Sequence, residues 1–282
     1  GSDPNCLITK DGGKSWTNVI KNVPGLPKNT WAYHVEASVF GAGKAYVVFN
    51  GYTTGDMNTY VYKTEDFGAT WKSIVTPEIY GFARNIQEDY VNENLLFLGT
   101  ENGVYVSFDA GENWESLQLN LPVTPIRDLV IKNDDVVLGT HGRSFWILDD
   151  IAPLRELNAS TAAATLHFFK PADPIRGIYN LNVQYYLNEK VDSVEVSILD
   201  ASGKLVQKFV GHQEVFKQDN SVPYWERDGN TKPTTAKGIN TFSWNLRYAG
   251  ATTFPGMIIW SGRPQVGPKA VPGKYKVSIK AN

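Results

Sequence analysis

Three short segments of the chain obey one pattern, Ser/Thr-x-Asp-x-Gly-x-Ser/Thr/Asn-Trp: Thr9 to Trp16, Thr64 to Trp71 and Ser107 to Trp114. Each follows an alternating apolar run, which is the setting of a hairpin turn. The Asp (Asp11, Asp66, Asp109) can accept backbone N–H groups across the turn. The Gly (Gly13, Gly68, Gly111) supplies a positive φ, and the Trp (Trp16, Trp71, Trp114) covers the turn with apolar area. A device of this kind recurs because the fold recurs, so these nine residues are expected to be structural.

The spacing turns the motif into an architecture. Asp11 and Asp66 are 55 residues apart and Asp66 and Asp109 are 43 apart, in or near the range of one propeller blade per repeat. More than the turn repeats. The run ending Leu98-Gly99-Thr100 matches Leu138-Gly139-Thr140, and Arg84 and Arg127 also stand 43 apart. A fourth copy is therefore expected to end at Asp149-Asp150 with its turn eroded, Asp149 taking the place of Asp109. Each repeat reads as four short strands: an inner one (33–39, 84–88, 127–132), two middle ones, and an outer one that begins at the box Trp. The expectation for 1–152 is an all-β partial propeller of about three and a half blades.

Composition agrees. Aromatics make up 12% of the 282 residues and charged residues 20%, and no long stripe of period 3.6 appears. A formal net charge of -2 without a basic block argues against nucleic acid as a partner. The single Cys6 excludes an intrachain disulfide and a cysteine-based zinc site. No stretch approaches the ~20 apolar residues of a membrane span, so membrane insertion is not expected, and no signal peptide begins the sequence.

Near 153–164 the texture becomes small and polar, Pro153 through Ala164, as in a linker. Beyond it, alternating runs at 182–187, 193–210, 238–247 and 273–279, with a turn at Asp200 to Gly203, predict a β-sandwich over 165–282. Its size is that of an Ig or fibronectin-type domain, and Trp244 suits its core.

At these residues the chain resembles a family. The boxes, Leu121 to Leu129, Gly139 to Asp150, Phe254 to Trp260 and Gly267 to Tyr275 look like the C-terminal part of bacterial BNR/Asp-box repeat proteins, similar to the sortilin-type propeller and usually named glycosyl hydrolases. The resemblance implies a secreted or periplasmic protein with more blades upstream. Closed propellers need roughly four to eight blades. The remainder is expected from missing blades of a longer polypeptide or from a second copy of the chain.

The resemblance and the inner-strand positions together single out Arg84, Arg127 and Arg143, which could converge on a carboxylate as the arginine triad of sialidases does, or could merely bridge neighbouring blades. His141 adjoins Arg143 in the same turn. A glycosidase needs two carboxyls about 5 to 9.5 Å apart. The acidic candidates are Asp149, Asp150 and Asp128, with Glu65, Glu88 and Asp89 behind them, and Asp149 reads more simply as a turn residue. His34, His167 and His212 show no ligand spacing, so no cofactor or metal is expected beyond a weakly held structural Ca²⁺ at turns such as Asp109-Ala110-Gly111 or Asp228-Gly229-Asn230.

Loop aromatics offer a binding argument, since exposed rings stack on pyranoses or anchor protein partners, though packing is the plainer role for each. Tyr33 stands among Trp31, Tyr52, Tyr60, Tyr62 and Tyr80, and Trp225 and Trp260 lie in long loops of the second domain. The sequence thus points to a non-catalytic binding or scaffolding segment whose ligand is a glycan or a protein. Glycoside hydrolysis is the alternative.

Overall fold

A computed structural model describes residues 5–175, 180–212, 232–252, 254, 257 and 266–282. The chain divides into two compact units, Gly1–Arg155 and Glu156–Asn282. Among the described residues no helix is long and apolar enough to cross a membrane.

The first unit is a series of antiparallel sheets. Strands β1 (Leu7–Ile8) and β2 (Thr17–Asn18) form a two-stranded sheet. Then β3 (Trp31–Ala37), β4 (Ala45–Asn50), β5 (Tyr60–Thr64) and β6 (Lys72–Ser73) make a four-stranded meander, repeated by β7 (Ala83–Glu88), β8 (Leu96–Thr100), β9 (Val104–Ser107) and β10 (Glu115–Ser116). The last sheet, β11 (Ile126–Lys132), β12 (Asp135–Thr140) and β13 (Phe145–Leu148), has three strands rather than four. The inner strands β3, β7 and β11 are neighbours in series. This is an arc of propeller blades. Its position in the arc decides how each strand reads: β4 and β8 are covered on both faces, so Tyr46 through Phe49 and Leu96 through Leu98 are continuous buried apolar runs, whereas β11 buries only Ile126, Leu129 and Ile131. The outermost β6 and β10 are two residues long and polar, which blunts a free edge.

The boxes build one turn three times. Thr64 Oγ1 donates to Asp66 Oδ1 (2.9 Å) and accepts from the Gly68 amide (2.9 Å). Asp66 accepts the Thr70 amide (2.8 Å) and hydroxyl (2.7 Å). Ser107, Asp109, Gly111 and Asn113 repeat the four bonds, as do Thr9, Asp11, Gly13 and Ser15. The hydrogen bonds hold the carboxyls of Asp11 and Asp66 down at about 2. Gly68 and Gly111 serve twice: their φ values are +73° and +92°, and a Cβ would meet Val19 and Ile8 at 2.8 Å, or Ile74 at 2.9 Å, in the preceding sheet. Trp114 is buried and donates to the Ile74 carbonyl (2.8 Å), and Trp71 is buried as well. Trp16 departs from the expected packing role. It is exposed and its indole turns back to Gly13, because the described arc holds no sheet before β1 for it to cover.

The fourth repeat corrects the sequence alignment. In β12–β13 Val136 faces Leu148, as Leu96 faces Ser107 in β8–β9. The Ile151 amide bonds the Asp134 carbonyl as Ala110 bonds Asn94 and Phe67 bonds Gly43. The equivalent of Asp109 is therefore Asp150, not Asp149. The turn from Thr140 to Phe145 is one residue longer than that from Thr100 to Val104, and this shift escapes an alignment anchored on Leu-Gly-Thr.

Polar bridges tie the sheets together. Lys44 Nζ of the second sheet reaches Glu88 Oε1 of the third at 2.8 Å, both nearly buried, and Tyr46 donates its hydroxyl to the same oxygen. The segment 153–164 is not a plain linker. It carries two short helices, α1 (Ala152–Glu156) and α2 (Ala159–Ala163), the latter capped reciprocally by Asn158 and Thr161. Arg155 of α1 reaches back to Asp89 and Asp134.

The second unit is a two-sheet sandwich. One sheet is β14 (Leu166–Phe168), β15 (Leu181–Leu187), then β18 (Gly238–Trp244); the other sets β16 (Ser193–Asp200) between β17 (Leu205–His212) and β21 (Tyr275–Ala281). A small pair, β19 (Arg247–Ala249) and β20 (Val266–Lys269), lies beside β17. Alternation sends Val183, Tyr185, Val194, Val196, Phe242 and Trp244 into one shared core. The β16–β17 turn is made by Asp200, whose Oδ1 accepts the amides of Ser202 and Lys204, and by Gly203 at φ +85°.

Candidate functional site: the rim opposite the boxes

In an antiparallel meander successive connections alternate ends. The box turns and the β3–β4 type connections share one rim of the arc, and the β4–β5, β6–β7, β8–β9 and β12–β13 connections share the other. Of the sequence-derived binding residues, Tyr33, Arg84, Arg127, His141 and Arg143 fall on that second rim, and for three of them the backbone explains why. Each inner strand carries a bulge at the same place: between Ala32 and His34, Ala83 and Asn85, and Ile126 and Asp128. The extra residues are Tyr33, Arg84 and Arg127. A bulge re-aims its side chain out of the ladder, so these three positions are displayed as a set.

Their chemistry then diverges. Arg84 is almost fully buried; its Nε and Nη2 reach Glu101 Oε2 at 2.8 and 2.7 Å, Nη1 lies 3.3 Å from the Tyr33 hydroxyl, and Phe82, Tyr33 and Tyr52 pack around the guanidinium. Its charge is matched by a carboxylate, and it bridges β3 to β7. Arg127 is exposed, and its Nη2 meets His141 Nδ1 at 3.1 Å. His141 is the counterpart of Glu101: its amide bonds Pro125 as that of Glu101 bonds Phe82. One repeat therefore pairs Arg with Glu and the next pairs Arg with His. Arg143 lies exposed in the following turn, its backbone held by Thr140 and Trp146. Three arginines thus do not form one triad here, since Arg84 is consumed by Glu101.

The acidic candidates are dispersed. Asp128 is exposed and caps its own neighbour, accepting the Leu129 amide at 2.9 Å. Asp149 is exposed at the box rim, and Asp150 accepts the Ala152 amide at the start of α1. Asp150 also donates its backbone amide to Asp135 Oδ1 at 2.9 Å, which fixes a turn, and none of the three side-chain carboxyls is hydrogen-bonded to a second carboxyl. Trp225, Trp260 and the turn at Asp228 lie outside the described residues. Among the described residues no group of His, Cys, Asp and Glu is arranged to hold a metal ion.

A polar cluster between β3 and β7 was not singled out from sequence. Burial, reinforced by the neighbouring Glu88 charge, pushes the Glu36 carboxyl up to about 7, against a hydrogen bond from Gln87 that favours the charged form. Burial likewise lowers His34, whose Nε2 stands 4.0 Å from Glu36 Oε2, while Asp128 opposes that shift. Alternation did place His34 and Glu36 on one face of β3, but nothing local shows that β7 covers that face. Glu101 was legible, directly after Leu98-Gly99-Thr100 where His141 follows Leu138-Gly139-Thr140.

No protein-family model matches the chain, and no curated protein matches it. It is similar to several solved structures. One is YCF48 bound to D1 peptide, 17% identical, covering 72% of this chain and 61% of that one at a TM-score of 0.35. A GH74 enzyme of Niastella koreensis is 15% identical over 55% of this chain and 26% of the enzyme, TM-score 0.36. PorZ, a bacterial surface component of the type-IX secretion system of Porphyromonas gingivalis, is 11% identical over 98% of this chain and 41% of its own, TM-score 0.33. The chain spans less than two thirds of each. The functional reading has to come from its own side chains.

Proposed function

We propose that this chain is a non-catalytic binding or scaffolding segment of a secreted or periplasmic propeller protein, receiving a glycan or protein ligand on the rim opposite the boxes. The observation that carries this reading is the replacement of the Arg84–Glu101 pair by Arg127–His141 in the next repeat, which leaves an exposed guanidinium without the carboxylate its counterpart has. Such a cation suits an anionic group on a ligand. The trailing sandwich is taken as an Ig-like accessory domain. Titration with acidic peptides and with sialylated or uronate-containing oligosaccharides tests it. Binding weakened at least about tenfold by Arg127→Ala supports the reading. Binding indifferent to that change removes it.

Glycoside hydrolysis stays as a second reading because a carboxyl held protonated to about 7, as at Glu36, is what a general acid requires. Turnover of aryl glycosides or xyloglucan by the chain, lost in Glu36→Gln, establishes that alternative and overturns the first.

We further propose that the arc is completed by additional blades or a second copy. Val35 is 57% exposed, whereas its counterparts Ile86 and Leu129 are 0% and 2% exposed beneath a neighbouring sheet. Light scattering of the chain at micromolar concentration separates association from a monomer.

A further inference from the structure

We propose that the cleft between the β4–β5 loop, the β6–β7 loop and the β8–β9 turn is a subsite for one uncharged pyranose unit of an oligosaccharide; this rests on the binding reading above. The cleft has a volume of about 430 Å³, within the range of small-ligand sites, and lies on the rim opposite the boxes. Its floor is the buried Phe82. Tyr80, a residue 74% exposed, and the exposed Met57 also line it.

The position of Tyr80 is fixed by its backbone, since its amide donates to the Tyr105 hydroxyl at 2.9 Å. The ring itself is left to offer an apolar face to solvent, the role an amphipathic aromatic plays toward the C–H face of a sugar. Around it stand groups suited to hydroxyls. Asn58, in the lining, donates its side-chain N–H to Asp56 Oδ1 (2.8 Å) and keeps its side-chain carbonyl as an acceptor. The Asn102 amide nitrogen lies against Gly81, where a Cβ would come within 2.4 Å of it, so only glycine at 81 leaves that amide in the cleft. Both bonds from Arg84 go to Glu101 Oε2, which leaves Oε1 as an acceptor whose charge is already compensated.

This set selects against other ligands. An anion would meet no cationic side chain in the lining. A cation would find the Glu101 carboxylate neutralised by a buried arginine. A peptide that binds as an added strand needs a sheet edge, and these walls are two loops and a turn. Adjacent hydroxyls on a neutral ring, which both donate and accept, match two amides and a shielded carboxylate.

The test is calorimetric or NMR titration of the whole chain with cello-, xylo-, malto- and mannohexaose, with a glucuronate oligomer as control. A dissociation constant near or below about 1 mM for at least one neutral oligomer is expected. Tyr80→Ala is expected to weaken it at least about tenfold without moving the melting temperature, Tyr80→Phe to retain it, and Asn102→Ala to weaken it severalfold. Absence of binding by every neutral oligomer at about 10 mM overturns the proposal, as does equal binding by Tyr80→Ala. Binding of only the glucuronate oligomer, lost in Arg127→Ala, also overturns it while leaving the broader binding reading intact. If the oligomers are hydrolysed, the non-catalytic reading fails, and titration of a Tyr80→Ala, Glu36→Gln double variant still judges the cleft.

Discussion

Arg155 closes on Asp89 from 66 residues away, Nε to Oδ2 at 2.9 Å and Nη2 to Oδ1 at 2.8 Å, and the Asp89 side chain is 0% exposed. The same guanidinium reaches Asp134 and packs on the Tyr90 ring at 5.1 Å, so one residue of α1 joins the last two sheets of the arc.

Removing one partner of a buried pair strands the other. Arg155→Ala is expected to destabilise the chain by about 3–5 kcal/mol, and the Arg155→Ala, Asp89→Ala double variant by clearly less than the two single losses added. Urea denaturation of the four proteins checks this, and additive losses count against the bidentate pair.

The box carboxylates act on stability. Asp109 is pushed up by burial but held below its ordinary range by the Asn113 side chain and amide and the Ser107 hydroxyl. Asp109→Ala is expected to cost about 1–3 kcal/mol and to leave oligosaccharide binding at the opposite rim unchanged. Unchanged melting together with lost binding makes the box a ligand site.

Glycine at 68 is required for two reasons, its positive φ and the 2.8 Å approach to Val19 and Ile8. Gly68→Ala is expected to lower stability by about 2 kcal/mol or more, whereas Gly142→Ala, at a φ of +87° but with nothing within 4 Å, pays only the conformational cost. Melting temperatures in that order check the close approach.

Glu36 gives the fold a pH dependence of calculable sign. Its folded pKa of about 7 exceeds the ordinary carboxylate value, so between roughly pH 4.5 and 7 the folded state holds a proton that the unfolded state has lost. The stability it contributes is present below that window and falls as pH rises through it. His34, lowered by burial, contributes with the opposite slope as its proton is lost, and Glu88, Gln87 and Asp128 face the pair. Glu36→Gln is expected to remove the falling component, read as a difference between wild-type and variant denaturation midpoints across pH 4 to 8; identical profiles refute the shift.

The sandwich is expected to fold alone. Residues 156–282 own a core that runs from Leu181 to Trp244 across both sheets. A cooperative thermal transition and a β-type circular dichroism spectrum check this, and an unstructured segment overturns it.

The features legible in the amino-acid sequence were local and periodic ones. The three boxes, their rim, the inner strands and the Asp200 turn were legible because a positive φ, a capping carboxylate and an alternation of period two are properties of a few adjacent residues. The small, polar stretch at 153–164 holds the division between the two compact units, but its composition gave no sign of the two short helices or of the reach of Arg155 to Asp89. The tertiary structure alone decided which equivalent residues became different. Arg84 and Arg127 share a bulge, yet one is buried between sheets and matched by Glu101 while the other stands exposed beside His141. Asp150 rather than Asp149 completes the repeat because register is set by the partner strand. Glu36 titrates near neutrality because β7 covers it, which no pattern within β3 records. Repetition in sequence copies the turn and the strand, whereas burial and charge compensation belong to the junction between copies.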